Sequence, residues 1–389
     1  MKLIFVGGAL DHITQPISSA FYDLLGDDFS FVATKEKAGS RGDLGYGSLA
    51  DKYPYAIKGY GQKEDIDNAI EKINASDVVI YGSAPESFVK KRMLDGKLTF
   101  RFTERLYKEP FSIKNYFHRL ISGIKHHKIY QNKNVYVLGA GAYVANDLYK
   151  FGYYKNRYYK WGYFTKITDK TYEQLIDLKS QNKKVELIWV ARFIKLKHPE
   201  MILSLAEFLL AKGIEFNITM VGGGEEFETV KKAVEDKKLS SVITLTGAIT
   251  PDETRALMER ADISLFTSDR REGWGAVVNE SMGCACAVVA SSSAGSSPFL
   301  VEDELNGLLF RVDSQDSFNQ KVLNLINDRE YLNKLALNAY NDIHEFWTPE
   351  NASKSFVKLA KSIIEGKPVS IEKGPCSKAL ILKDGWYKK

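Results

Sequence analysis

A chain of 389 residues has room for two domains, and 44% hydrophobic with 26% charged residues is an ordinary globular balance. Three cysteines (Cys284, Cys286, Cys376) are too few for a disulfide framework, and Cys284-x-Cys286 has neither redox nor zinc spacing. A net charge of +5 is modest, and no run reaches the roughly 18 apolar residues of a membrane-spanning helix.

Taken in chain order, Leu3 to Val6 is apolar and meets Gly7 at once, which reads as a first strand and not a signal peptide. The expected address is a reducing cytoplasm. Gly7-Gly8-Ala9 makes the first strand-to-helix turn, with Asp11 and His12 just beyond. Further strands are expected over 29–33, 78–81, 98–102 and 135–138. In the second half they fall over 185–190, 216–221, 242–245, 263–266, 287–290 and 307–310. Helical periodicity fills the gaps, for example over 199–211 and 225–236. Continuous apolar strands alternating with helices predict parallel sheets covered on both faces, and two such blocks predict two doubly wound α/β domains. The expected division is 1–163, 164–345 and 346–389. It falls after the aromatic run 158–164 and before a polar helix over 170–184.

Charge is unevenly placed. Residues 87–160 carry sixteen Lys and Arg against four acidic residues, a net +12 that leaves −7 in the remainder. Residues 112–130 predict a basic amphipathic helix with Ile113, Tyr116, Phe117, Leu120, Ile121 and Ile124 on one face. Such a helix suits an anionic membrane surface. A core-facing apolar stripe with a solvated basic back fits the pattern equally. No nucleic-acid motif accompanies the charge, so no nucleic-acid partner is expected.

The richest segment is Arg270-Arg271-Glu272-Gly273-Trp274-Gly275-Ala276-Val277-Val278-Asn279-Glu280. A strand precedes it and a helix is expected over 276–284. Glu272 therefore sits on a loop at the carboxyl end of a strand. The two glycines allow close backbone approach to a ligand, the helix N-terminus attracts phosphate, and Glu280 stands about one turn inside. Carboxylates aimed at such a site suit the neutral hydroxyls of a sugar.

From Ala261-Asp262 through Ser268, Glu272 to Gly275, Glu280, Val288 to Ser291 and Asn306 to Leu309, the ordered set resembles the Glu-x7-Glu signature of retaining family 4 glycosyltransferases of bacterial polysaccharide biosynthesis. The resemblance implies the GT-B fold, two Rossmann-like domains facing across a cleft, with the last helix (349–365) crossing back to the first domain. It implies a sugar moved from a nucleotide-diphosphate donor to a glycan or polyprenyl-linked acceptor without cofactor, and the basic segment 87–160 adds to the cytoplasmic address a peripheral contact with the inner face of the cell membrane. Arg192 and Lys197 match the family's Gly-Arg, four residues, Lys, although the family's glycines are Ala191 and His198 here. They would clamp the donor diphosphate, and with no Asp-x-Asp at a strand end no metal is expected. Glu280 would bind the ribose and Glu272 the donor sugar. Gly273, Trp274, Gly275, Ala276, Val277, Gly222, Gly223, Ile249, Gly7 and Gly8 would line the donor site, Ile249 through its backbone. Asp11 and His12 would touch acceptor hydroxyls, or His12 would cap the helix. Where many members place a histidine facing the donor sugar, this chain has Arg101-Phe102-Thr103-Glu104-Arg105. Glu104 takes that role as a catalytic group, hydrogen-bonding the donor sugar or acting as a base toward the acceptor, or it pairs with Arg101 or Arg105.

Three other readings compete. Leu138-Gly139-Ala140-Gly141-Ala142-Tyr143-Val144 looks like a dinucleotide fingerprint, but its third glycine is Val144 and no acid occurs over 148–168 to hold a ribose, against an NAD-type oxidoreductase. The others are a non-catalytic scaffold and an epimerase of the same fold.

Overall fold

Residues 1–36, 50–109 and 113–388 are described by the computed structural model. They form two units: Met1–Thr165 with Phe346–Lys383, and Lys166–Glu345 with Asp384–Lys389.

The first unit is built on β1 (Leu3–Gly7), β2 (Phe29–Ala33), β3 (Ala56–Lys58), β4 (Val78–Tyr81), β5 (Thr99–Glu104), β6 (Val135–Ala140) and β7 (Tyr158–Trp161). Their order is β3-β2-β1-β4-β5-β6-β7, and every pairing is parallel. The central strands are largely apolar because both faces are covered: Leu3, Phe5, Phe31, Val79, Ile80 and Phe100 are all buried. Two strands escaped the sequence reading. β3 is a three-residue edge, too short to show a period. β7 lies inside the aromatic run taken as a domain end, and it pairs β6 from Val137↔Tyr158 to Ala140↔Trp161.

The second unit carries β8 (Val185–Val190), β9 (Phe216–Val221), β10 (Ile243–Gly247), β11 (Ile263–Phe266), β12 (Ala287–Ser291) and β13 (Leu308–Phe310), ordered β10-β9-β8-β11-β12-β13 and again parallel. The polar helix expected over 170–184 is shorter, Tyr172–Ser180, held at its start by a capping box between Thr171 and Gln174.

In each sheet the order reverses once, between β1 and β4 and between β8 and β11. Connections on either side of such a switch point leave toward opposite faces, and the gap outside the carboxyl ends of the strands is where ligands bind in open α/β sheets.

The chain end returns to the first unit. Helix Pro349–Ile364 packs on helix Gln15–Leu25, with Phe356 edge-on to Phe21 at 5.5 Å and to Phe100 at 4.9 Å. Of the polar tail, unplaced by sequence, residues 376–378 lie on the outer edge of β7: Lys160 N donates to Ser377 O at 2.8 Å and Cys376 N to Lys160 O at 2.7 Å, whereas Asp384–Lys389 belong to the second unit. Cys284, Cys286 and Cys376 are free and buried. No helix among the described residues is long and apolar enough to cross a membrane.

Candidate active site

The second unit assembles a polar site at its switch point. After β8 the chain runs through Arg192 to a 3-10 turn, Lys195–Lys197, and after β11 it runs through Thr267 to Glu272. Parallel order alone brings these loops side by side. Asp269 N donates to Leu196 O at 2.9 Å, and Thr267 Oγ1 donates to Lys197 O at 2.6 Å while accepting from the buried Trp189 Nε1 at 2.9 Å. The Lys197 ammonium ion-pairs with the Glu272 carboxylate, its side chain 13% exposed and that of Glu272 17%. It also lies 5.8 Å from the centre of the Phe266 ring. Arg192 is exposed and, among the described residues, pairs with no carboxylate.

His198 follows directly, in a left-handed conformation (φ 51°, ψ 53°). The resemblance expects glycine at this position, so the chain keeps a glycine-like backbone and adds an imidazole. That ring touches Asp269 Oδ2 through Nε2 at 3.3 Å and Glu200 Oε1 through Nδ1 at 2.8 Å. The Asp269 carboxylate first, then Glu200, push the imidazole pKa up to about 9, so the ring is cationic at neutral pH. Burial opposes ionisation of Asp269, but hydrogen bonds from His198 and from Arg271 hold its carboxyl well below the usual range. Arg271 grips Asp269 through Nε and Nη2, the latter at 2.7 Å. Glu272 N donates to Asp269 O at 3.1 Å, so Asp269 fixes the loop that presents Glu272. The sequence reading missed His198, Asp269 and Arg271. Its one available signal was the histidine standing where a glycine belongs.

Gly273 is buried, and the indole of Trp274 is turned into the core, 1% exposed, donating to Asn279 Oδ1 at 3.1 Å. The donor-site role expected for Trp274 therefore falls to its main chain. Gly275 has φ +93°, and a Cβ there would meet the Phe266 ring at 2.3 Å. Only glycine fits the turn that leads through Ala276 into helix Val277–Gly283. Val277 packs beside Ile188 and Val221, and Glu280, half-buried, stands one turn in. Gly295 N and Ser296 N, from the loop after β12, donate to the carbonyls of Glu272 and Trp274 at 3.2 and 3.0 Å and brace the segment. The turn after β9 adds Gly222, whose N donates to Gly247 O at 2.9 Å, and Gly223, whose O accepts from Phe193 N at 2.9 Å. Ile249, after β10, packs on the same apolar cluster as Val277.

The first unit has its own cavity, about 420 Å³, at the β1/β4 switch point. Gly7, Asp11, Thr14, Ser83, Glu104 and Tyr163 are among its lining residues. Gly8 N donates to Ser83 Oγ at 3.3 Å. Asp11 Oδ1 accepts from Ile13 N, Thr14 N and Thr14 Oγ1 at 3.0 to 3.1 Å, so Asp11 organises the start of helix Gln15–Leu25. His12 is exposed and lies outside the cavity lining. Glu104 pairs with neither of its expected arginines. It accepts from Tyr163 Oη at 2.7 Å and from Lys108 Nζ at 2.9 Å, while Arg101 donates to His126 O and Arg105 lies 3.5 Å from Asp147.

The run 138–144 is a packed turn: Ala142, Tyr143 and Val144 are buried, and Asp147 faces Arg105 and accepts from Tyr107 N at 3.1 Å. Its helix, Val144–Tyr149, has only six residues.

Residues 172–342 match the family of glycosyl transferases group 1. An uncharacterized glycosyltransferase of Methanocaldococcus jannaschii is 32% identical over 127 residues, 33% of this chain and 35% of that one. The poly(glycerol-phosphate) alpha-glucosyltransferase of Bacillus subtilis is 27% identical over 205 residues, 52% of this chain and 29% of the relative. The chain thus spans about a third of the length of these two curated relatives. Among solved structures, Anabaena HepE in complex with UDP superposes with a TM-score of 0.70 at 15% identity, over 93% of this chain and 100% of that one. Sucrose-phosphate synthase from Thermosynechococcus elongatus gives 0.65 at 14% identity, over 94% and 100%. Residues 172–342 are thus similar to the glycosyl transferases group 1 family, and the two parallel sheets have the GT-B fold.

Proposed function

We propose that the protein is a retaining glycosyltransferase that moves a sugar from a nucleotide-diphosphate donor to a glycan or polyprenyl-linked acceptor in cell-surface polysaccharide synthesis. One observation carries the reading: Lys197 and Glu272 meet at the β8/β11 switch point, with Arg192 on the same loop as Lys197. A cation beside a carboxylate serves a substrate whose diphosphate and sugar hydroxyls lie next to each other. Arg192 and Lys197 offset the charge that grows on the leaving diphosphate, with no metal needed. Glu280 takes the ribose hydroxyls, and Glu272 takes hydroxyls of the donor sugar.

The anomeric carbon–oxygen bond breaks toward the diphosphate and leaves an oxocarbenium-like centre. The acceptor hydroxyl enters from the same face, and its proton passes to the departing phosphate oxygen. Glu272 is held by Lys197, which suits hydroxyl binding better than nucleophilic attack. Asp11 and Glu104, on the cavity of the first unit, bind acceptor hydroxyls. The relative named for poly(glycerol-phosphate) glucosylation, and the HepE structure named as a complex with UDP, support this donor and acceptor chemistry.

A thermal-shift panel of nucleotide sugars, followed by transfer assays with and without EDTA, tests the reading. A donor at 100 times its dissociation constant adds about 2.7 kcal/mol of stability. Absence of any shift, together with absence of transfer from every donor, overturns the reading. Loss of transfer in EDTA with rescue by manganese overturns the metal-free chemistry.

A further inference from the structure

Helix Ile113–His126 points its apolar stripe away from the protein. Phe117, Ile121 and Ile124, spaced four and three residues apart, lie on one face of a helix. They are 62%, 66% and 42% exposed. The adjoining face, carrying Tyr116 and Gly123, packs against the protein. A Cβ on Gly123 would meet Tyr153 Oη at 2.6 Å, His127 is buried and stacks on Tyr153 at 5.6 Å, and Tyr116 stacks on Phe151 at 6.2 Å. Of the two orientations open to the sequence, the core-facing stripe is therefore excluded for these three residues. Ile129, on the turn Lys128–Tyr130, and Leu94, on the helix Lys90–Leu94 that packs on that turn, are also exposed. His118, Lys125, Lys128 and Lys90 are exposed around it, within a segment of net charge +12.

We infer that this face docks the protein on an anionic lipid bilayer, with Phe117, Ile121 and Ile124 entering the headgroup–acyl boundary and Lys125 and Lys128 meeting lipid phosphates. Large apolar side chains at the tip of a basic rim match a surface that is apolar at depth and negative at its edge. A protein partner of opposite charge would supply the rim contacts but would need an apolar face of its own. A bilayer supplies both. The inference stands on the exposed stripe and does not depend on sugar transfer.

The test is co-sedimentation with phosphatidylglycerol/phosphatidylcholine vesicles and with phosphatidylcholine vesicles alone. The wild type binds the anionic vesicles, binds neutral ones weakly, and is released by salt as screening rises. Phe117→Ser/Ile121→Ser, with an unchanged circular dichroism spectrum and melting point, lowers binding at least about tenfold. Should that variant misfold, Lys125→Glu/Lys128→Glu gives the second reading, lowering anionic binding by about the same factor. Failure of the wild type to bind anionic vesicles overturns the inference. So does binding that survives both variants. So does sedimentation showing a dimer that Phe117→Ser/Ile121→Ser dissociates, which would assign the face to a second copy of the chain.

Discussion

Replacing His198 by glutamine removes the charge that joins the loop after β8 to the loop after β11 while keeping a polar side chain of similar length. The structure sets the size of the effect. With its pKa pushed up to about 9 from an ordinary 6.5, the ring contributes roughly 3 kcal/mol if the shift is taken at face value. Its side chain is 28% exposed, so solvent screening brings the expected value to about 1–2 kcal/mol. The sign follows from linkage. The folded pKa lies above the unfolded one, so the contribution is fully present below about pH 6.5 and is lost as pH rises through about 9. Urea unfolding of the wild type and His198→Gln, at about pH 6 and about pH 10, should show a stability gap of about 1–2 kcal/mol that closes at the higher pH. The difference between the two proteins cancels the lysines and tyrosines that titrate in the same range. An NMR titration of the His198 ring reads the pKa directly. A gap that is the same at both pH values, or a ring that titrates near 6.5, refutes the reasoning.

Three further outcomes are expected. Arg192→Ala and Lys197→Ala should each lower turnover at least about 100-fold, the scale for losing one charge-stabilising donor, and full activity in both would sink the diphosphate clamp. Glu280→Gln should weaken the free nucleotide diphosphate and the whole donor at least about tenfold, whereas Glu272→Gln, which releases Lys197 from its ion pair, should leave nucleotide binding intact and slow transfer by a similar factor. Calorimetry showing the reverse pattern would exchange the two roles. Gly275→Ala places a methyl 2.3 Å from the Phe266 ring at φ +93° and should cost about 2 kcal/mol or more; a wild-type melting curve would show that the turn relaxes freely.

Much of this protein is decided by short-range pattern. Unbroken apolar runs such as Leu3–Val6 and Val78–Tyr81 declare buried parallel strands, because only strands covered on both faces lack alternation. The spacing of Glu272, Gly273, Gly275 and Glu280 places one carboxylate on a strand-end loop and the other inside the next helix, since loop and helix are contiguous in the chain. Tertiary structure decided what those groups touch. Lys197 and Glu272 are 75 residues apart, and His198 and Asp269 are 71 apart. They meet because the order β8-β11 sets two loops side by side, and strand order leaves no mark in either loop. The same holds for Glu104, whose partners Lys108 and Tyr163 replace the two arginines nearest in sequence. It holds for Tyr158–Trp161, an aromatic run that becomes a strand only because β6 and residues 376–378 flank it. Helix Ile113–His126 makes the point most plainly. Its periodicity shows that it has an apolar face, but periodicity has no inside or outside. The contact of Gly123 with Tyr153 chooses the side that is buried and leaves Phe117, Ile121 and Ile124 facing out.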